Sequence, residues 1–386
     1  MIGNLFIRKM RSKMSPRLRS ILRRGGQVFL QTAAWPVVNR WPHYSRLFLV
    51  SDSAPWVISW EIKEVAAIAQ RIGIQVADVH WLPVVKNQAV FYGSHFALLE
   101  ENSLNQHRRV GGAYFHGRPG TGVEEFDRAY RRLCEVHHMI HRIQVSHSEM
   151  RDIVMGSGIS PEKVFLIPIG INLSHFSMQT GGSRRGARER FGIPQSAVVV
   201  GSFQKDGVGW GDGMEPKMIK GADIFLRTIE LLKQKVSELF VLLSGPARGY
   251  VKAGLECLGV PYRHVFLKYY PEVGRLFHAL DVYIVSSRQE GGPKAVLESM
   301  ASGVPIVTTR VGQAMDLVRH GENGWMVDVD DAEALAHWAE YVIHHHSSLV
   351  DVARNGRQTA EANSYESQIP LWRNFMDGFV KIRHDQ

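Results

Sequence analysis

The stretch "DVYIVSSRQEGGPKAVLESMASG", Asp281–Gly303, holds the grammar of the whole chain. Four apolar residues, Val282–Val285, read as a buried strand. Ser286–Gly292 form a loop of small and polar residues. Pro293 suits the first turn of a helix, where its missing N–H costs nothing, and Gly303 stops that helix. "VPIVTTRVG" then reads as the next strand. Strand, loop, helix and strand in this order predict a parallel sheet, whose ligands bind beyond the carboxyl ends of the strands. Gly291 and Gly292 would let a ligand approach the backbone, and amides there, at a helix N-terminus, suit phosphate. Glu290 and Glu298 stand eight positions apart. A carboxylate accepts two hydroxyl hydrogen bonds, so each suits a vicinal diol on a sugar or ribose. Spacing alone leaves open the alternative of a loop cap and a solvated helix residue.

The same alternation extends in both directions. Upstream, "RLFLVSD" (Arg46–Asp52), "QVADVHWL", "QAVFYGS", "GGAYFHGRPGTG" (Gly111–Gly122), "HRIQVSHS" and "KVFLIPIGIN" read as strands between helical segments. After the polar, basic "SMQTGGSRRGARER" (Ser177–Arg190), strands resume at "AVVVGSF", "LFVLLSG" and "HVFLKYY". The expected fold class is α/β: two Rossmann-like domains facing across a cleft, with C-terminal helices. The expected division is 1–40, a basic amphipathic segment; 41–178, a first Rossmann-like domain; 179–190, a linker; 191–362, a second Rossmann-like domain; and 363–386, a C-terminal helix packing back on the first domain. "HHH", His344–His346, reads as a solvated turn, because consecutive residues do not share a helix face.

Composition narrows the partners. The 386 residues carry a net charge of +9 with His neutral, which favours anionic ligands or surfaces. The two cysteines, Cys134 and Cys257, have no ligand-like spacing, so neither a disulfide framework nor a zinc site is expected, and a reduced, cytoplasmic setting fits. No apolar run approaches the ~20 residues a membrane span needs. Residues 1–30 interleave arginines with Leu, Met and Ile. Two readings remain: a peripheral anchor on an anionic inner membrane face, or a solvated basic tail. The positive charge is not concentrated around aromatic residues, which argues against nucleic acid.

"EGGPKAVLESMASGVPIVTTRVG" resembles the donor-site motif of retaining GT-B glycosyltransferases with E-x7-E, the large glycosyltransferase family 4, also called glycosyl transferases group 1. Glu290, Gly291, Pro293, Leu297, Glu298, Met300, Ala301, Gly303, Pro305, Val307, Thr309 and Gly312 fall on the pattern. "KVFLIPIGINLSHF" is similar to the end of that family's first domain, with Ile169 where Asn is common. The resemblance implies that Glu298 holds the ribose, that Glu290 contacts the transferred sugar, and that Lys220 and Lys205 bind the diphosphate. Ser202 occupies the usual place of a diphosphate-binding Arg. Gly245 and Arg248 would lie near the nucleotide base. His116 would face the sugar from the first domain, with His95 a lesser candidate. Arg118, Ser53 and Trp56 would shape the acceptor side. Trp56 and Trp60, four apart, also suit packing within one helix. Asp206–Pro216 is longer than the family's usual link and reads either as a loop over the donor or as a surface insertion. The implied reaction is hexose transfer with retention from a UDP- or GDP-sugar to a glycan or lipid-linked acceptor of the cell envelope. No metal or other cofactor is expected. The rival readings are a nucleotide-sugar epimerase of related fold and a nonenzymatic basic binding protein.

Overall fold

The computed structural model describes residues 41–51, 57–77, 85–100, 103–104 and 107–382. The expected N-terminal amphipathic segment, 1–40, and the acceptor-side candidates Ser53 and Trp56 lie outside the described residues. The first sheet holds β1 (Arg46–Val50), β2 (Gln75–Ala77), β3 (Ala89–Tyr92), β4 (Arg109–Ala113), β5 (Arg142–Val145) and β6 (Val164–Leu166), all parallel in the order β2-β1-β3-β4-β5-β6. Its first four helices are α1 (Val57–Arg71), α2 (His95–Leu98), α3 (Glu124–Val136) and α4 (Ser148–Met155). One face is covered by α3 and α4 through Leu133, Val136, Met150 and Val154. The other is covered by Ile62, Val65 and Ile68 of α1.

Next comes α5 (Gly181–Phe191), in the polar stretch expected to be a linker. The difference has a physical cause. Thr180 and Ser183 form a reciprocal capping box, and Gly192 closes the helix in the left-handed region at φ 66°. Arg188, which reads as a surface charge, is buried. It donates to the carbonyls of Ala279, Gln195 and Ala197 at 3.1, 2.8 and 2.8 Å and to Asp281 at 2.7 Å. Asp281 also accepts the Val199 amide at 2.7 Å. This brace ties the entrances of two neighbouring strands in the second sheet.

That sheet consists of β7 (Val198–Ser202), β8 (Leu239–Ser244), β9 (Tyr262–Val265), β10 (Val282–Val285), β11 (Ile306–Thr309) and β12 (Trp325–Val327). Read from β9, its order is β9-β8-β7-β10-β11-β12, all parallel. The winding direction reverses between β7 and β10, which places the ligand crevice beyond their carboxyl ends. The helices are α6 (Ala222–Lys233), α7 (Gly249–Leu258), α8 (Val273–Phe277), α9 (Lys294–Ala301), α10 (Ala314–Leu317), α11 (Ala332–His345), α12 (Val350–Ala362) and α13 (Ile369–Met376). Phe225, Ile229, Val251, Leu255, Leu335 and Val342 cover one face. Leu276, Phe277, Val296, Leu297 and Met300 cover the other.

After α12 the chain crosses back. Ile171 and Ser364 form a bridge, and Trp372, Phe375 and Met376 of α13 enter the α1-side core of the first sheet with Leu47 and Phe91. Cys134 and Cys257 are free and exposed. His345 ends α11, its Nδ1 2.8 Å from the Tyr341 carbonyl. No helix of the described residues is long and apolar enough to cross a membrane.

Candidate active site in the interdomain cleft

The loops after β7 and β10 are stitched together before they present anything to a ligand. Gly221 follows Lys220 at φ 60°, and a Cβ there would lie 1.9 Å from the Ser286 carbonyl, so only glycine lets the two backbones meet. Ser286 Oγ donates to the Gly221 carbonyl at 2.8 Å, and the Arg288 and Gln289 amides donate to Ile219 O at 3.0 and 3.1 Å. Arg288 grips Asp223 with both terminal nitrogens, at 2.8 and 2.7 Å, in the bidentate geometry that fixes orientation. Gln204, just past β7, donates to Lys220 O at 2.8 Å and accepts from Ser287 Oγ at 3.1 Å.

This framework sets Lys220 Nζ 2.6 Å from Glu290 Oε1, which also accepts from Ser287 Oγ at 2.9 Å. Lys205 and Lys217 complete a basic cluster. Burial pushes both ammonium pKa values below their usual range, and the Lys220 charge pushes them further. His116 faces the cluster from the end of β4. Burial, then the Lys220 charge, lowers its imidazole to about 4, with Lys217 adding to the depression and Glu290 opposing it. The ring is therefore neutral at pH 7. His95 lies edge-on to His116 at 5.0 Å between centroids and stacks on Tyr114 at 4.3 Å.

Glu298 lies inside α9, only 5% exposed, and accepts a hydrogen bond from the Tyr270 hydroxyl. Burial raises its carboxyl above the usual range, while Lys294 and Tyr270 pull it back. Lys294 pairs with Glu61 of α1 and lies 2.9 Å from the hydroxyl of Tyr365, which itself donates to Glu61. A buried polar chain thus links α1, α9 and Tyr365 of the returning C-terminal segment.

Arg248 does not face the cleft: it is fully buried, its Nη1 donating to the carbonyls of Ser202, Gln204 and Ser244 at 2.8, 2.7 and 2.9 Å. Its Nη2 meets Asp206 at 3.0 Å and donates to Ser202 Oγ at 3.2 Å, so Ser202 is also part of the brace beneath the loop. Gly291 and Gly292 make close approaches, but to the first domain. A Cβ on Gly291 would lie 2.4 Å from Phe115 O, and one on Gly292 would lie 2.5 Å from Ile169 Cδ1. Ser146 Oγ donates to Gly291 O at 2.9 Å. The buried Gln313 accepts the Ile169 amide at 2.9 Å. Trp60 does not pack within its helix alone: its ring lies 5.6 Å from those of Tyr269 and Tyr270 of the second domain. Arg118 is exposed and pairs with Glu149 at 3.2 Å. Gly245 takes φ 90°, and its carbonyl lies 2.7 Å from His264 Nε2. Among the described residues no group of three or more His, Cys, Asp or Glu side chains is placed to hold a metal.

Gln204, Lys217, Tyr270, Ser146 and Gln313 escaped the sequence reading. Lys217 had a signal, its spacing of three from Lys220 in "KMIK". The others join segments that only the tertiary fold brings together.

Two facing Rossmann-like domains with a C-terminal return define the GT-B architecture. Residues 211–345 match the family model described as glycosyl transferases group 1. The fold is similar to that of Anabaena HepE, solved in complex with UDP-glucose (TM-score 0.69, 16% identity, 87% of this chain and 100% of that one). It is also similar to sucrose-phosphate synthase of Thermosynechococcus elongatus (TM-score 0.66, 15% identity, 86% and 99%). In sequence, the D-inositol 3-phosphate glycosyltransferase of Corynebacterium urealyticum is 26% identical over 254 residues, 61% of this chain and 57% of that protein. A lipopolysaccharide core biosynthesis glycosyltransferase of Rhizobium meliloti is 34% identical over 121 residues, 31% and 36% of the two chains. The chain therefore spans about half, or less, of these two relatives' length.

Proposed function

We propose that the protein is a retaining glycosyltransferase that moves a hexose from a nucleotide-sugar to a glycan or lipid-linked acceptor in envelope polysaccharide or lipopolysaccharide synthesis. The observation that carries this reading is the Lys220–Glu290 pair at the winding reversal of the second sheet, opposite the neutral His116. A carboxylate for sugar hydroxyls, a cluster of ammonium groups for phosphate and an uncharged imidazole converge there. The names of the two curated relatives support the same class.

In this reading the donor diphosphate lies on Lys205, Lys217 and Lys220. As the glycosidic bond breaks, negative charge grows on its leaving oxygen, and the preorganised lysines stabilise it. Donor binding exchanges the partners of the Lys220–Glu290 pair: the ammonium turns to phosphate, and the carboxylate is released to the hydroxyls of the sugar. Glu298 takes the ribose hydroxyls, with Tyr270 and Lys294 fixing its orientation. His116 orients the sugar from the first domain. The acceptor attacks on the face that the diphosphate leaves, and the departing oxygen takes its proton. Glu290 then needs no covalent role, unlike the nucleophile of a double displacement. Contact between Gly291 and Phe115 keeps the domains close enough to exclude water.

The test pairs binding with turnover. Saturation-transfer NMR against UDP-, GDP- and ADP-sugars should detect a donor, Glu298→Gln should weaken its binding about tenfold or more, and His116→Ala should lower kcat more than donor affinity. A protein that binds no nucleotide-sugar, or whose binding ignores Glu298→Gln, is not this enzyme.

A further inference from the structure

Lys294 and Glu298 stand four residues apart on α9, so they share a face of that helix. An ammonium and a carboxylate at this spacing ordinarily pair with each other. Here the ammonium goes elsewhere. Lys294 pairs with Glu61 of α1 and donates to the Tyr365 hydroxyl at 2.9 Å, and Tyr365 donates in turn to Glu61, which closes a ring of three groups. Glu298 takes the Tyr270 hydroxyl on Oε1 instead. Lys294 Nζ lies almost equally far from the two tyrosines, 5.3 Å from the Tyr270 ring centroid and 5.4 Å from that of Tyr365. The ring of three is well anchored. The Lys294 and Glu61 side chains are 8% and 9% exposed. Tyr365 N donates to Ile171 O at 3.1 Å, and Ile171 N donates to Asn363 O at 3.3 Å, where the chain leaves the first domain and returns to it.

One buried ammonium thus stands within reach of two buried carboxylates, and Glu298 feels both of the others. After burial, which raises its carboxyl most, Lys294 lowers it and Glu61 raises it. We infer that Glu61 is a positioning residue for the donor: it holds the Lys294 ammonium on the first domain and so keeps Glu298 open to the ribose hydroxyls. This rests on the nucleotide-sugar reading above, in which Glu298 takes the ribose. A buried ammonium left without its partner is strongly unfavourable. Without Glu61 it turns to the carboxylate one helical turn away, and oxygens that accept from Lys294 are lost to the diol. Glu61 touches no ligand in this scheme and acts through Lys294. Donor affinity therefore depends on α1 of the first domain, although the donor rests on the second.

Isothermal titration calorimetry on the full chain, with UDP, GDP and the 2′,3′-dideoxy form of each, tests the inference. The wild type should bind the ribose form about tenfold or more tightly than the dideoxy form, the worth of hydrogen bonds to a charged group. Glu61→Gln should bring that ratio to about one. Lys294→Met added to it should recover part of the ratio, because no ammonium is then left to claim Glu298 and Tyr270 still orients it. Tyr365→Phe, which strands no charge, should lower the ratio about threefold. A purely structural Glu61 would weaken both forms equally, so an unchanged ratio in Glu61→Gln overturns the inference. A lost ratio that the second substitution does not recover overturns it too, because Lys294 is then not the agent. Should Glu61→Gln fail to fold, an unchanged ratio in Tyr365→Phe overturns it instead. A wild type that binds UDP or GDP without regard to the ribose hydroxyls overturns the role of Glu298 and this inference with it. One that binds neither nucleotide overturns the nucleotide-sugar reading itself.

Discussion

His116 shows how the site sets a proton by its neighbours. Burial lowers its imidazole most, Lys220 and Lys217 lower it further, and Glu290 alone among the named charges raises it. Removing each neighbour should therefore move the titration in opposite directions. Lys220→Ala should bring the His116 pKa up from about 4 towards its ordinary 6.5, and Glu290→Gln should push it lower still. Ring-proton shifts followed by NMR between pH 3 and 8 read this directly. A shift in the same direction for both variants would show that contact with the cleft charges does not govern the ring. In the proposed function donor binding should act like the lysine deletion, since its phosphates would neutralise the same ammonium groups.

Among the elements, α9 does two things at once: its outer turn carries Lys294 into the first domain, and its next turn carries Glu298 into the site. Lys294 and Glu61 are nearly buried, so removing one strands the other as an uncompensated charge. Lys294→Met should cost about 3 kcal/mol in urea unfolding, and Glu61→Gln combined with it should recover part of the loss. If the single variant is as stable as the wild type, the buried chain is not a structural brace. The β10–α9 unit was legible because its signals are local: strand period, glycine loop and helix start. Val282–Val285 is the strand expected, and the helix starts one residue later than Pro293, which serves as its cap. Helix α5 was missed because its apolar content is low and its buried arginine looks like a surface charge until Asp281, far along the chain, is placed beside it. The setting of Arg248 is hidden for the same reason, since no spacing announces that three backbone carbonyls will converge on one guanidinium.

Across the described residues seven buried or half-buried histidines act together. His95, His116, His141, His147, His175, His264 and His346 are all lowered from 6.5, chiefly by burial. Their unfolded forms bind protons first on acidification, so the stability they contribute is complete above about pH 6.5 and drains as pH falls towards the folded values. Glu298 and Asp206, both raised, work the other way, contributing stability that is lost as pH rises. With seven groups against two, Tm should be lower at pH 5 than at pH 7 by differential scanning calorimetry. An equal or higher Tm at pH 5 would refute this reading. The return of the chain after α12 has a consequence for synthesis. Trp372, Phe375 and Phe379 complete the core that Leu47 and Phe91 begin, so one layer of the first domain is supplied by residues translated only after the whole second sheet. A ribosome that has finished the first six strands has made a sheet with one face only half covered. That lobe must wait, with apolar surface open to chaperones, until the second lobe has emerged and α13 swings back to seal it.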